Sequence, residues 1–400
     1  MKYIVVLGDG MADEPVEALD MKTPLEFAKT PTMDRLSQYA EIGMAKTIPD
    51  GMSPGSDTAN LAVMGYDPKK YYTGRSPLEA LSIGVNMKDT DVALRCNIVT
   101  LSDDDLPYAE KTILDHSSDE ISTEDADVLV KAVKEAFENE TYQFYTGTSY
   151  RHLLIWDKGE VAELTPPHDI LERVIGAYLP EDAMLSMMME KSYEILNHHP
   201  LNEERAKRGL NKANSLWFWG AGTKPCVTSF KEKTGLKGTM ISAVDLLKGI
   251  AVGAQMEVVQ VPGANGGLHT NYEGKANAAL KALLEDGSDF VYVHLEGPDE
   301  MGHQGKCDAK VLSIEYLDDR IIRPICEGLD QAGEPYRMLI LPDHPTPLRI
   351  RTHSADPVPY LLFDSRKHTE CALKYNEKDA GKSGIFIENG YTLIDRLIQG

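Results

Sequence analysis

Apolar and polar positions follow two textures along this chain. Short apolar runs closed by Gly, Pro or Asp alternate with longer stretches whose apolar residues recur every three or four positions. IVVLGDG near the start reads as a buried strand that ends on an acidic loop, and SLWFWGAG, MEVVQVPG, DFVYVHLE, RMLILPD and PYLLF suggest further strands. SAVDLLKGIAVG, YEGKANAALKALLEDG and KVLSIEYLDDRIIRPICEGLDQAG carry helical periodicity between them. TPTMDRLSQYA predicts another helix, with Pro31 at its first turn and Thr30 or Thr32 near its start. Apolar strands separated by amphipathic helices predict an α/β fold with a mainly parallel sheet covered by helices on both faces.

The middle of the chain breaks this rhythm. ALRCNIVTLS is followed by a turn-rich acidic stretch, a helical pattern from Ser122 through Phe137, and TYQFYTGTSYRHLLIWD. Pro-rich and Met-rich segments and the polar NEERAKRGLNKAN come next. This texture predicts a smaller α+β domain over residues 91–208, inserted into a larger discontinuous domain of residues 1–90 and 209–400. The total of 400 residues also exceeds what one hydrophobic core usually organises.

Composition narrows the functional classes. The five cysteines are scattered and form no CxxC pair, which points away from a disulfide scaffold and toward a reducing, cytoplasmic setting. A formal net charge of -22 argues against nucleic acid or an anionic membrane as partner. No apolar run approaches the roughly 18 residues of a membrane span. MKYIVVLGDG is too short and too interrupted for a signal sequence. A small anionic substrate stays compatible with the acidic chain, since metal ions and a few basic side chains can reverse the local potential.

Candidate chemistry gathers at loops that follow or lie near the expected strands, where open α/β sheets bind ligands. Asp9 follows IVVLG, Asp299 and His303 lie in PDEMGH, Asp343 and His344 follow RMLILP, and His353 lies in RTHSADPVPY. Ser56 sits in GMSPGSDTANLAVMGYDP, a loop leading into a helix. Singly, each has a plain structural use: a turn, a helix N-cap, an exposed i,i+4 pair. Together, three carboxylates and three imidazoles suit Zn²⁺, Mn²⁺ or similar cations, which would relieve the repulsion among the acids. Two ions about 4 Å apart would clamp a transferring phosphoryl group, and Ser56 beside them would gain nucleophilic character.

The combination of PGSDTANLAVMGYDP, GRSPLEA, SYRHLL, LWFWGAG, NYEGKANAAL, PDEMGH, LPDHPTP and RTHSADPVPY, with GDGMADEP and KTPLEFAKTPTMDRL, runs nearly end to end. It resembles the archaeal-type cofactor-independent phosphoglycerate mutases, a branch of the alkaline phosphatase superfamily. The resemblance implies an alkaline-phosphatase-like domain with an inserted substrate-binding lid domain. It implies Ser56 as catalytic nucleophile, one metal held by Asp299, His303 and His353, and another held by Asp9, Ser56, Asp343 and His344. Two divalent ions (Mn, Zn, Co or Mg) and no bisphosphoglycerate would serve the interconversion of 3-phosphoglycerate and 2-phosphoglycerate in glycolysis and gluconeogenesis. Arg151, His152 and Lys224 are the implied substrate contacts. The Asp-Arg pair that assists proton transfer in bacterial-type relatives is missing, and His116 lies outside a matching motif, so no general acid/base is assigned. A metal-dependent phosphatase and a homoserine-kinase-like phosphotransferase are the alternatives, although no GxxxxGK[ST] loop is present.

Overall fold

The strand-forming segments do not join one sheet. The computed structural model describes residues 1–367 and 370–400, and the chain forms two compact units, Met1–Tyr72 with Cys226–Gly400, and Thr73–Pro225. In chain order the strands are β1 (Lys2–Gly8), β2 (Ala40–Ala45), β3 (Asp91–Leu101), β4 (Ile113–Asp115), β5 (Tyr142–Tyr145), β6 (Arg151–Asp157) and β7 (Ser215–Thr223). They continue as β8 (Gly238–Ile241), β9 (Glu257–Val259), β10 (Phe290–Leu295), β11 (Tyr336–Leu341), β12 (Val358–Asp364) and β13 (Phe386–Ile387).

The larger unit holds a sheet in the order β13-β2-β12-β11-β1-β10-β8-β9. Its pairings are parallel except those of β12 with β11 and β2, so the expected mainly parallel sheet is present. β1, β10 and β11 are apolar and buried along nearly their whole length because helices cover the sheet. Their register decides where the loops emerge: Gly8 pairs with Leu295, and Leu7 with Leu341. Asp9, the Glu296–Asp299 turn and Asp343 therefore leave the sheet at one edge.

Two helical expectations change in detail. The run KVLSIEYLDDRIIRPICEGLDQAG is divided into helices Cys307–Leu317 and Arg323–Ala332 by a π turn at Asp318–Ile322. Pro324 lacks the N–H that a continuous helix would need there, and the wider turn absorbs the break. The helix Pro31–Ser37 begins at the expected proline, but Thr30 makes no side-chain cap. Asp318 supplies the cap instead, accepting from Thr32 N at 3.0 Å and Met33 N at 2.6 Å.

The smaller unit is built on antiparallel pairs, with β3 flanked by β6 and β7 and extended by β4 and β5. SLWFWGAG, read from sequence as one of the larger sheet's strands, is β7 of this sheet; its pattern specifies a strand and leaves the partner open. Helix Arg75–Ser82 packs on β3 and β7, so the unit runs wider than residues 91–208. Its core gathers Leu94, Ile98, Leu129, Phe144, Leu154, Met189 and Trp217. Among the described residues no helix is long and apolar enough to cross a membrane.

One buried ion pair ties the loops of the larger unit's carboxyl edge together. Lys310 Nζ, fully buried, donates to Asp13 Oδ2 at 2.7 Å and to Thr346 O at 2.8 Å, while Asp13 also accepts from Leu348 N. Removing the cation strands a buried carboxylate, so Lys310→Ala is expected to cost about 3–5 kcal/mol of stability. Urea unfolding followed by circular dichroism reads this; a loss below about 1 kcal/mol would show that the pair carries no such burden.

Candidate active site

Gly10 makes the first turn of the site possible. Its φ is +59°, and a side chain there would place Cβ 2.6 Å from Asp299 Oδ1. With that backbone fixed, Gly10 N donates to Asp343 Oδ1 at 3.1 Å. Asp343 also accepts from His344 N at 2.9 Å and from Asn60 Nδ2 at 2.8 Å. Tyr292 O–H in turn fixes Asn60 Oδ1 at 2.6 Å.

Ser56 is the first residue of helix Ser56–Val63, and Gly55 occupies the N-cap position. The serine is thus free of capping duty, and its Oγ lies 3.1 Å from His344 Nε2. His344 Nε2 is also 3.5 Å from Asp9 Oδ1 and 3.5 Å from Asp343 Oδ2. The ligand atoms of Asp9, Asp343 and His344 lie within 4.8 Å of one another, as do those of Asp299, His344 and His353. His303 joins the second group, with Nε2 3.3 Å from Asp299 Oδ2 and 3.0 Å from His353 Nε2. His353 stacks on His344 with ring centroids 3.9 Å apart. All seven expected residues therefore converge, and His344 stands between the two groups.

The electrostatics of the cluster suit a cation. Burial, followed by the charges of Asp343 and Asp299, pushes the Asp9 carboxyl well above the ordinary range. Asp9 Oδ1 is buried and has no hydrogen-bond partner among the described residues. Asp9 Oδ2 is occupied by His294 Nε2 at 2.9 Å, and Ser242 Oγ lies 3.2 Å from the other nitrogen of that ring. Burial keeps His294 well below the ordinary imidazole range and hence neutral, so it orients Asp9 without neutralising it. Burial also works to raise Asp299, but its bonds to His303 and His353 outweigh that and hold it well below the usual value. The bond to Asp299 lifts His303 to about 9. An unpaired buried oxygen among three acids and three imidazoles fits a pair of divalent cations with mixed O and N ligands.

The expected substrate contacts lie on the smaller unit. Arg151 is exposed at the start of β6 with its guanidinium over the Tyr150 ring. Lys224 pairs with Asp89 at 3.2 Å. His152 is buried and held neutral by that burial, with a pKa lowered to about 3; its Nδ1 accepts from Gly147 N at 3.2 Å. Sequence reasoning passed over His294, Ser242, Asn60, Tyr292 and Thr346. His294 and Tyr292 lie inside the apolar run FVYVHL, where strand periodicity marks them as core. A polar side chain within so apolar a strand was the available signal.

A parallel α/β unit that delivers a serine at a helix N-terminus to a ring of Asp and His defines a class: phosphotransfer enzymes with a candidate metal-dependent centre. A family profile described as 2,3-bisphosphoglycerate-independent phosphoglycerate mutase matches residues 37–202. A protein of that name from Methanosarcina barkeri is 46% identical over 405 residues, covering 100% of both chains. The structure of PH0037 protein from Pyrococcus horikoshii superposes with a TM-score of 0.82 at 30% identity, covering 100% of this chain and 96% of that one. The cofactor-independent phosphoglycerate mutase of Thermoplasma acidophilum gives 0.65 at 26% identity, covering 100% and 99%. The chain belongs to the 2,3-bisphosphoglycerate-independent phosphoglycerate mutase family.

His303 supplies a pH test of the cluster. With a pKa of about 9 it carries a proton in the metal-free protein at neutral pH, and a cation must displace that proton to use the ring. Apparent Mn²⁺ affinity, titrated into metal-free protein, is expected to rise up to about tenfold per pH unit from pH 7 and to level off near pH 9. Affinity independent of pH over that range would remove His303 from the ligand set.

Proposed function

We propose that this chain interconverts 3-phosphoglycerate and 2-phosphoglycerate through a phosphoserine on Ser56, in glycolysis and gluconeogenesis. The observation that carries the reading is the position of Ser56 Oγ, 3.1 Å from His344 Nε2 at the opening turn of an eight-residue helix and inside the Asp/His ring. Asp9, Ser56, Asp343 and His344 would hold one divalent cation, and Asp299, His303 and His353 the other. When bound, these ions supply a lowered serine pKa and charge neutralisation on the transferring oxygens.

The chain's own groups perform the rest. Ser56 Oγ attacks phosphorus and the ester bond to the substrate oxygen breaks, leaving phosphoserine and glycerate. The backbone N–H groups of the helix's first turn favour the phosphate now attached there. Glycerate turns without leaving, its other hydroxyl attacks the phosphoserine, and Ser56 is restored. No bisphosphoglycerate enters the cycle. The same proposal gives Arg151, His152 and Lys224 to substrate binding on the smaller unit. Holding glycerate away from water is what separates such a mutase from a phosphatase with the same serine.

The direct test is interconversion of the two phosphoglycerates with Mn²⁺ present and bisphosphoglycerate absent. Chelation is expected to abolish turnover, and Mn²⁺, Co²⁺ or Zn²⁺ to restore it; activity that survives removal of all divalent metal would refute the metal assignment. Ser56→Ala is expected to lower turnover by at least about a thousandfold with little change in thermal stability. Mass spectrometry of substrate-treated protein should place a phosphate on Ser56. Mutase activity persisting in the alanine variant would sink the phosphoserine route.

A further inference from the structure

Two acids of the larger unit's Asp/His ring divide the duties of their oxygens. Asp9 Oδ2 is taken by His294 Nε2 at 2.9 Å, while Oδ1 is buried with no hydrogen-bond partner among the described residues. That free oxygen lies 3.5 Å from His344 Nε2, whose other neighbour is Ser56 Oγ. Asp343 shows a similar division. Its Oδ1 accepts from Gly10 N at 3.1 Å and His344 N at 2.9 Å, and its Oδ2 lies 3.5 Å from His344 Nε2. One oxygen of each acid therefore faces the imidazole, and the other is held by N–H groups of the protein.

The partner of Asp9 is itself held from behind. Val244 N donates to Ser242 Oγ at 3.0 Å, and Ser242 Oγ lies 3.2 Å from His294 Nδ1. Lys275 Nζ donates to His294 O at 2.8 Å and pins the same residue through its backbone. Ser242, Lys275 and His294 are all buried. Donor counting gives this chain a direction. A backbone N–H can only donate, so Val244 fills one lone pair of Ser242 Oγ. A carboxylate that holds a cation has no proton to give, so His294 must donate from Nε2 and accept at Nδ1. The Ser242 O–H then supplies that nitrogen. Reversing any step would leave a buried polar atom unpaired.

We propose that the relay from Val244 through Ser242 to His294 sets which cation the site accepts. By committing Asp9 Oδ2 to an N–H, it holds Asp9 to ligation through one oxygen, which favours Mn²⁺, Co²⁺ or Zn²⁺ over Ca²⁺. Ca²⁺ gathers about six to eight oxygens and readily takes two from one carboxylate. The transition ions accept imidazole nitrogen beside oxygen and need fewer ligands. Without the relay, Asp9 is able to turn and offer both oxygens. Ser242 and His294 touch neither ion; they are positioning residues that act through Asp9. The inference rests on the assignment of Asp9 to a cation in the phosphoglycerate reading, and it names what selects that cation.

Calorimetric titration of the metal-free full chain with Mn²⁺ and with Ca²⁺ tests this. Wild type is expected to bind Mn²⁺ the more tightly. Ser242→Ala removes the hydroxyl that supplies His294 Nδ1. It is expected to weaken Mn²⁺ about tenfold or more while changing Ca²⁺ less than about threefold, so the ratio of the two affinities falls. His294→Gln keeps a side-chain N–H for Asp9 and is expected to hold that ratio within about threefold of wild type. General damage to the site would weaken both ions together, so a merely structural role leaves the ratio unmoved. Parallel weakening of both ions in Ser242→Ala, or an unchanged Mn²⁺ affinity, would overturn the relay. A folded His294→Gln protein that loses the ratio would overturn it too. Wild-type protein that binds no Mn²⁺ would overturn the relay and the metal assignment together. Failure of the mutase reading looks different. Wild-type protein with a Ser242-dependent preference for Mn²⁺ that fails to interconvert phosphoglycerates would refute that reading and keep the relay. A working mutase whose Ser242→Ala variant holds the wild-type ratio would do the reverse.

Discussion

Asp9, Asp299 and Asp343 meet at the carboxyl edge of a buried sheet, and their mutual repulsion is the constraint around which the larger unit is arranged. Asp343 is satisfied by Gly10 N, His344 N and Asn60 Nδ2. Asp299 is flanked by His303, His353 and Thr346. Asp9 has one imidazole and one oxygen with no partner among the described residues, and it is the carboxyl driven upward. Apolar replacements of similar volume would stabilise such a site. Gathering acids without matching donors is useful when a cation completes the set.

Much of the surrounding structure holds these groups in place. The parallel register of β1, β10 and β11 brings three distant segments to one edge. Gly10 lets the Asp9 and Asp299 loops approach within contact, and Lys310 bonds the Asp13 segment to the Thr346 loop from inside. His294 and Ser242 set the orientation of Asp9, while Tyr292 and Asn60 set that of Asp343. Thr346 bridges toward Asp299 and lies 3.3 Å from His344 Nδ1. Asp9, Asp299 and Asp343 are thus each oriented by a further side chain, as a site with tight positional requirements demands.

The smaller unit solves a different problem with different materials. Its antiparallel strands place Arg95 and Asn97 on β3 opposite Trp219 and Trp217 on β7, so a cationic group and its aromatic support are set by cross-strand pairing. Glu79 Oε1 accepts from both Arg95 Nη1 and Arg75 Nε, so one carboxylate aligns two guanidinium groups.

The sequence alone determined the α/β texture, the strand cores, and the seven residues of the Asp/His/Ser ring. Short motifs at strand ends carry that information locally, and their joint resemblance to one family is specific. It also determined helix Pro31–Ser37 through its proline. The tertiary structure decided matters that depend on partners distant in sequence. SLWFWGAG is a strand by pattern, yet only pairing with β3 assigns it to the smaller sheet. Asp318 caps a helix more than two hundred residues away, which no local rule reveals. His294 and Tyr292 alternate like core residues, and Arg95 lies in an apolar strand, so periodicity files all three as packing. Their roles come from contacts across the sheet. Hydrophobic period encodes which face of an element is buried, whereas the partner a buried polar atom finds, or lacks, exists only once the chain has folded.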